Sequence, residues 1–202
     1  VIQLAHERAL ANGASLRDAL AAVREFREKD DTTPVLLMGY ANPVEHMGHA
    51  VFADAATEAG LDALLTVDIP PEEVSGINTE LQRVGLDNIF LVAPTTPDAR
   101  IERIASEASG FIYYVSLKGV TGAGHLDADD VANHVARIRK HSSLPVAVGF
   151  GIKDASSAAS VAGVADGVVV GSALIRAMAD TLESGADIQS AQDAAVGLLA
   201  EI

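Results

Sequence analysis

Six short and almost wholly apolar runs, each followed by a stretch of helical periodicity, constrain this chain more than any other feature. They are Val35 to Met38, Ala63 to Val67, Ile89 to Val92, Phe111 to Val115, Val146 to Val148 and Gly167 to Val170. Runs this short without polar alternation read as strands covered on both faces, and strands that alternate with helices read as βα units of a parallel sheet. Helices are predicted ahead of the first strand over Ile2 to Ala11 and over Leu16 to Lys29, the second opened by Ser15. Elsewhere Gly60 and Gly85 read as helix stops, Pro71 and Pro97 as first-turn residues, and Thr96, Asp127 and Asp154 as N-caps.

Two architectures share this pattern. A (β/α)₈ barrel of about 250 residues uses roughly 31 per unit, so 202 residues correspond to about six of the eight units. A flavodoxin-like open sheet has the same alternation. Each of the last three strands is followed by glycines, which suits a shared phosphate site at the C-terminal end of a barrel better than one switch-point crevice. The expectation is therefore an α/β TIM (β/α)₈ barrel, residues 1–202 forming a single domain that is incomplete at its N-terminus.

A formal net charge of −14 argues against nucleic acid or an anionic membrane surface, which require a basic stripe. No apolar run approaches membrane-spanning length. The absence of cysteine removes disulfides, thiolate metal sites and a cysteine nucleophile, and a reducing cytoplasm fits best.

Three glycine segments carry the candidate chemistry: Gly119-Val120-Thr121-Gly122, Gly149-Phe150-Gly151 and Gly171-Ser172. Glycine lets backbone N–H groups approach an anion, and a helix starting at Ser172 would turn its positive end toward a phosphate. Each segment alone is more simply a tight turn or a capped helix start. Three in succession at equivalent strand ends favour a phosphate cradle.

These residues also carry a family resemblance. Leu36-Leu37-Met38-Gly39-Tyr40-Ala41-Asn42-Pro43, then Tyr113-Tyr114-Val115-Ser116 leading into Gly119-Val120-Thr121-Gly122, then Gly149-Phe150-Gly151-Ile152, resemble tryptophan synthase α subunits, in order and over essentially the whole chain. The resemblance implies retro-aldol cleavage of indole-3-glycerol phosphate to indole and glyceraldehyde 3-phosphate. It also implies a partner, the β subunit of an α₂β₂ assembly, which carries the pyridoxal phosphate; no cofactor is implied in this chain. By the same resemblance Gly122, Gly151, Gly171 and Ser172 match phosphate-binding positions. Tyr113, Leu65, Phe150, Asp68 and Thr121 match the substrate pocket, and Ser116 to Leu126 match a mobile closing loop.

The family's two catalytic acids, a glutamate and an aspartate on the second strand and its following loop, match no residue here and would precede Val1. Asp68 ends a strand at the catalytic face, yet aspartate's turn preference makes it first a cap for the turn into Ile69-Pro70-Pro71. Lys118 and His125 read as loop residues. His46 and His49 share a predicted helix but lack the further ligands a metal needs, so no metal site is expected. Two other readings remain: another phosphate-binding barrel isomerase or aldolase, and a non-catalytic phosphate-binding module. A six-strand remnant would also leave the first and last strands as unpaired edges.

Overall fold

The computed structural model describes residues 1–116, 128–149 and 151–202. The first half of the chain runs α1 (Ile2–Ala11), α2 (Leu16–Arg27), β1 (Leu36–Gly39), α3 (Ala41–Met47), α4 (His49–Ala59), β2 (Ala63–Thr66) and α5 (Ser75–Val84). It continues with β3 (Asp87–Val92), α6 (Asp98–Glu107), β4 (Ile112–Val115), α7 (Ala128–Arg139), β5 (Val146–Gly149), α8 (Ala155–Ala162), β6 (Gly167–Val169), α9 (Ser172–Glu183) and α10 (Ile188–Glu201). All six expected strands are present, each within two residues of its expected ends.

The residues gather into two compact units, Leu10–Leu91 with Thr96–Ile112, and Val1–Ala9 with Val92–Thr95 and Tyr113–Ile202. The first holds β1 and β2 with most of β3, parallel and in chain order, with Met38 level with Leu65 and Leu65 level with Ile89. Its core is Phe52, Ala53 and Ala56 of α4, Leu64 and Leu65 of β2, Ile77 and Leu81 of α5, and Ile89, all at most 2% exposed. Burying each of the larger side chains is worth about 1.5–3 kcal/mol. The alanines let α4 approach the sheet closely. Gly60, in the left-handed conformation at φ 84°, closes α4, and a Cβ there would stand 2.8 Å from Arg27 Cγ. Ser15 opens α2 with a reciprocal capping box to Asp18, as its spacing predicts.

The second unit holds β5 and β6 in parallel pairing, and the Ser116 N–H donates to the Gly149 carbonyl at 3.1 Å, tying the end of β4 to the end of β5. Tyr114, Val131, Val135, Ile138, Val146, Val148 and Val161 form its core.

One clasp recurs in both units. Arg27, the last residue of α2, donates to Asp62 Oδ2 at 2.6 Å, and the same carboxylate oxygen accepts the Val35 N–H at 2.7 Å. Arg139, the last residue of α7, donates to Asp166 Oδ2 at 2.8 Å, and that oxygen accepts the Val146 N–H at 2.8 Å. Each aspartate pins the N-terminal end of one strand from the start of the next.

Several expectations need correction. Pro71 lies in a turn ahead of α5, which starts only at Ser75, because Pro70 and Pro71 hold the chain in a turn after β2. The residue capping α6 is Pro97, not Thr96. His46 and His49 do not share a helix: Gly48 at φ 86° separates α3 from α4, and His49 pairs with Glu45 at 2.7 Å. Coverage on both faces holds for β2, which is buried throughout, but not for β1, where Leu36 and Met38 are 37% and 54% exposed. Paired on one side only among the described residues, β1 carries the exposure expected of an edge. Asp127 lies outside the described residues. No helix among those described is long and apolar enough to cross a membrane.

Candidate functional site

The loops after β5 and β6 leave neighbouring strands side by side. Gly149 is level with Val169, so Gly151 and Gly171 each follow a registered pair by two residues. The two helices that follow differ. At α8, Asp154 accepts the Ser157 N–H at 2.8 Å, while the Asp154 and Lys153 N–H groups donate to Ser157 Oγ. That box closes the helix end, and the hydrogen bonds from Ser157 hold the Asp154 carboxyl below the usual carboxylate range. At α9 the N-cap is Gly171, which has no side chain to cap with. The Leu174 and Ile175 N–H groups donate to the Gly171 carbonyl, whereas those of Ser172 and Ala173 have no acceptor among the described residues. No acidic residue sits in the first turn. An anion at this terminus would meet two open donors and the positive end of a twelve-residue helix.

On the far side of β5 from β6, β4 presents two tyrosines to opposite sides. Tyr114 turns toward α7 and stacks on His134, with ring centroids 5.3 Å apart and planes at 25°. Tyr113 turns the other way and lies against Gly149. A Cβ on Gly149 would overlap the Tyr113 hydroxyl and come within 2.7 Å of its ring carbon Cζ. Only glycine leaves room for that ring. Burial raises the Tyr113 phenol, and it pushes Tyr114 up to about 12, with the Asp130 charge adding to the rise.

Of the residues singled out in the sequence, Gly151, Gly171, Ser172 and Tyr113 fall together in this unit. Gly122, Thr121 and Phe150 lie outside the described residues, as does the segment from 117 to 126. Leu65 and Asp68 belong to the other unit. There Leu65 is 1% exposed. The Asp68 carboxylate accepts the Ala41 N–H at 2.8 Å, so it caps the start of α3 rather than the turn that follows it in sequence. A shallow cleft of about 230 Å³ opens there between Asp68, Ile69, Pro71, Phe90 and Arg100, whose guanidinium pairs with Glu72 at 3.2 Å. Among the described residues no three His, Cys, Asp or Glu side chains gather as a metal centre would require.

Two residues here were given no role of their own from the sequence. Gly149 stands in the glycine segment, but its need for glycine comes from a ring on another strand. Met38 shares a row with Leu65 by register, which an apolar run alone does not reveal.

Comparisons with known proteins fall on one family. The family model described as tryptophan synthase alpha chain matches residues 1–201. A tryptophan synthase alpha chain of Thiobacillus denitrificans is 58% identical over 175 residues, covering 87% of this chain and 64% of the relative. One from Nitrosococcus oceani is 59% identical over 176 residues, covering 87% and 65%. The chain thus spans a little under two thirds of the length of these relatives. Among solved structures, the alpha chain of Legionella pneumophila superposes with a TM-score of 0.85 at 42% identity, covering 98% of this chain and 73% of that one. A structure of the tryptophan synthase α₂β₂ complex of Pyrococcus furiosus gives 0.85 at 34% identity, covering 99% and 77%. The fold class is that of this family's (β/α)₈ barrel, represented by six strands among the described residues.

Proposed function

This chain belongs to the tryptophan synthase alpha chain family, and from that premise we propose that it serves the retro-aldol cleavage of indole-3-glycerol phosphate in tryptophan biosynthesis. The observation that carries the reading is the uncapped start of α9, with open N–H groups at Ser172 and Ala173 beside the Gly151 loop. In this reading the substrate phosphate rests on Gly151, Gly171 and Ser172, with Gly122 completing the cradle. The indole lies toward Tyr113, with Phe150 and Thr121 completing that side. The bond between the ring and the glycerol phosphate breaks with its electrons returning to the ring, while a proton leaves the side-chain hydroxyl and one reaches the ring carbon.

In this reading two carboxylates move those protons, and neither of them is assigned within residues 1–202. Asp68 is a poor substitute because its oxygen already holds the Ala41 N–H. The chain needs no cofactor of its own. It acts in the cytoplasm with a β subunit as partner, in an α₂β₂ assembly, to which the indole passes and where pyridoxal phosphate resides.

The test is calorimetric titration of the purified protein with glycerol phosphate, paired with indole release from indole-3-glycerol phosphate. Saturable binding that Ser172→Asp abolishes supports the reading. Undiminished turnover in a complete protein carrying Ser172→Asp and an enlarged Gly171 would overturn it, and would favour another barrel chemistry.

A further inference from the structure

Tyr114 is 0% exposed, and its hydroxyl has no hydrogen-bond partner among the described residues. The Ser116 hydroxyl, near it but outside hydrogen-bond geometry, only tempers the rise in its pKa. What holds this side chain is its ring. It lies flat on His134 of α7, whose Nε2 is 3.9 Å from Asp130 Oδ1 one turn earlier. The next residue back along β4 is Tyr113, and successive side chains on a strand point to opposite faces. Rotation of β4 about its own axis is therefore shared by the two rings. On one face the stack on α7 sets it. On the other, the bare Cα of Gly149 accepts Tyr113 with no clearance to spare. β4 is hydrogen-bonded to its neighbouring strands, with the Ser116 N–H on the Gly149 carbonyl setting its height against β5, and the rings act on the small rotation that this ladder leaves.

We propose that Tyr114 is a positioning residue for Tyr113: stacked on His134, its ring holds β4 at the rotation that lays Tyr113 over Gly149 and so shapes the indole side of the pocket. The pocket half of this statement rests on the function proposed above; the coupling of the two rings does not.

The chain has three tyrosines, Tyr40, Tyr113 and Tyr114, and no tryptophan. In a Tyr40→Phe background, Tyr114→Phe and Tyr114→Leu each leave Tyr113 as the single phenol, so its ionisation can be followed by phenolate absorbance, alongside KM and kcat for indole release. Tyr114→Phe keeps the stack and is expected to leave the Tyr113 titration elevated and KM within about twofold of the Tyr40→Phe parent. Tyr114→Leu is expected to lower the Tyr113 titration toward the ordinary value near 10 and to raise KM roughly tenfold with kcat little changed. A folded Leu variant with both readouts unmoved, or a Phe variant that behaves like Leu, overturns the proposal and makes Tyr114 a core residue only. Should Tyr114→Leu not fold, His134→Phe against His134→Leu, each with Tyr40→Phe and Tyr114→Phe, poses the same question from the other side of the stack. If the parent protein releases no indole even with the two carboxylates supplied, the functional reading fails while the Tyr113 titration still decides the coupling.

Discussion

The C-terminal strand ends of the two units are built from similar residues and finished differently. After β2, the polar groups are engaged within the fold: Asp68 caps α3 and Arg100 pairs with Glu72. After β5 and β6, α8 is closed by its own Asp154, but α9 starts on a glycine with donors left open. A helix end lacking partners is costly unless water or a ligand supplies them, so the unfinished end is the one left open to a ligand. The contrast teaches that candidate residues are ranked by what they already hold, not by residue type.

The harshest way to break the ligand-facing side is Gly149→Val. Its side chain would occupy the space of the Tyr113 ring, and overpacking of this kind costs about 2–3 kcal/mol, read as a lower urea midpoint. Adding Tyr113→Ala should recover part of the loss; no recovery would mean that the crowding lies elsewhere. Next, Ser172→Asp should weaken glycerol phosphate binding at least about tenfold while leaving the helix itself no less stable, since an acid at a helix start favours the helix and repels an anion. Asp154→Ala should lower the melting temperature without touching phosphate affinity. Equal effects of the two on affinity would erase the difference between α8 and α9.

The clasps at the opposite strand ends should behave alike in both units. Asp62→Ala and Asp166→Ala are each expected to cost about 1 kcal/mol in chemical denaturation, their ion pairs, each with a half-exposed aspartate, adding little to the hydrogen bond from the strand. The smallest effect is with pH. Arg139, then the Val146 N–H, holds the Asp166 carboxyl below its ordinary range. A carboxyl lowered in the folded state contributes stability that is present above its unfolded pKa of about 3.9 and lost as pH falls through the folded value. Melting temperature should therefore drop below about pH 4, and Asp166→Asn should flatten that drop. An unchanged slope would remove Asp166 from the acid response.

Much of this was legible beforehand because it is local. Short apolar runs gave the strands, Ser15 and Asp154 capped the helices their spacing indicated, and Gly60 and Gly85 stopped α4 and α5. Errors arose where a local signal had two outcomes. Proline at 71 suits a first helical turn and equally the turn it occupies. Helical spacing of His46 and His49 could not reveal that Gly48 breaks the helix between them. Asp68 reads as a cap for the turn that follows it, whereas it accepts the N–H of Ala41, 27 residues back, which no local preference encodes.

The sequence by itself determined the alternation of strand and helix, the glycines at the strand ends and the family, since these depend on composition and spacing within a few residues. Only the tertiary structure decided that Gly149 must stay bare for Tyr113, that Tyr114 faces His134, and that α9 rather than α8 keeps its N–H groups open. Those facts depend on register between neighbouring strands and on which side chain reaches which backbone group, and distance in space is not written in distance along the chain.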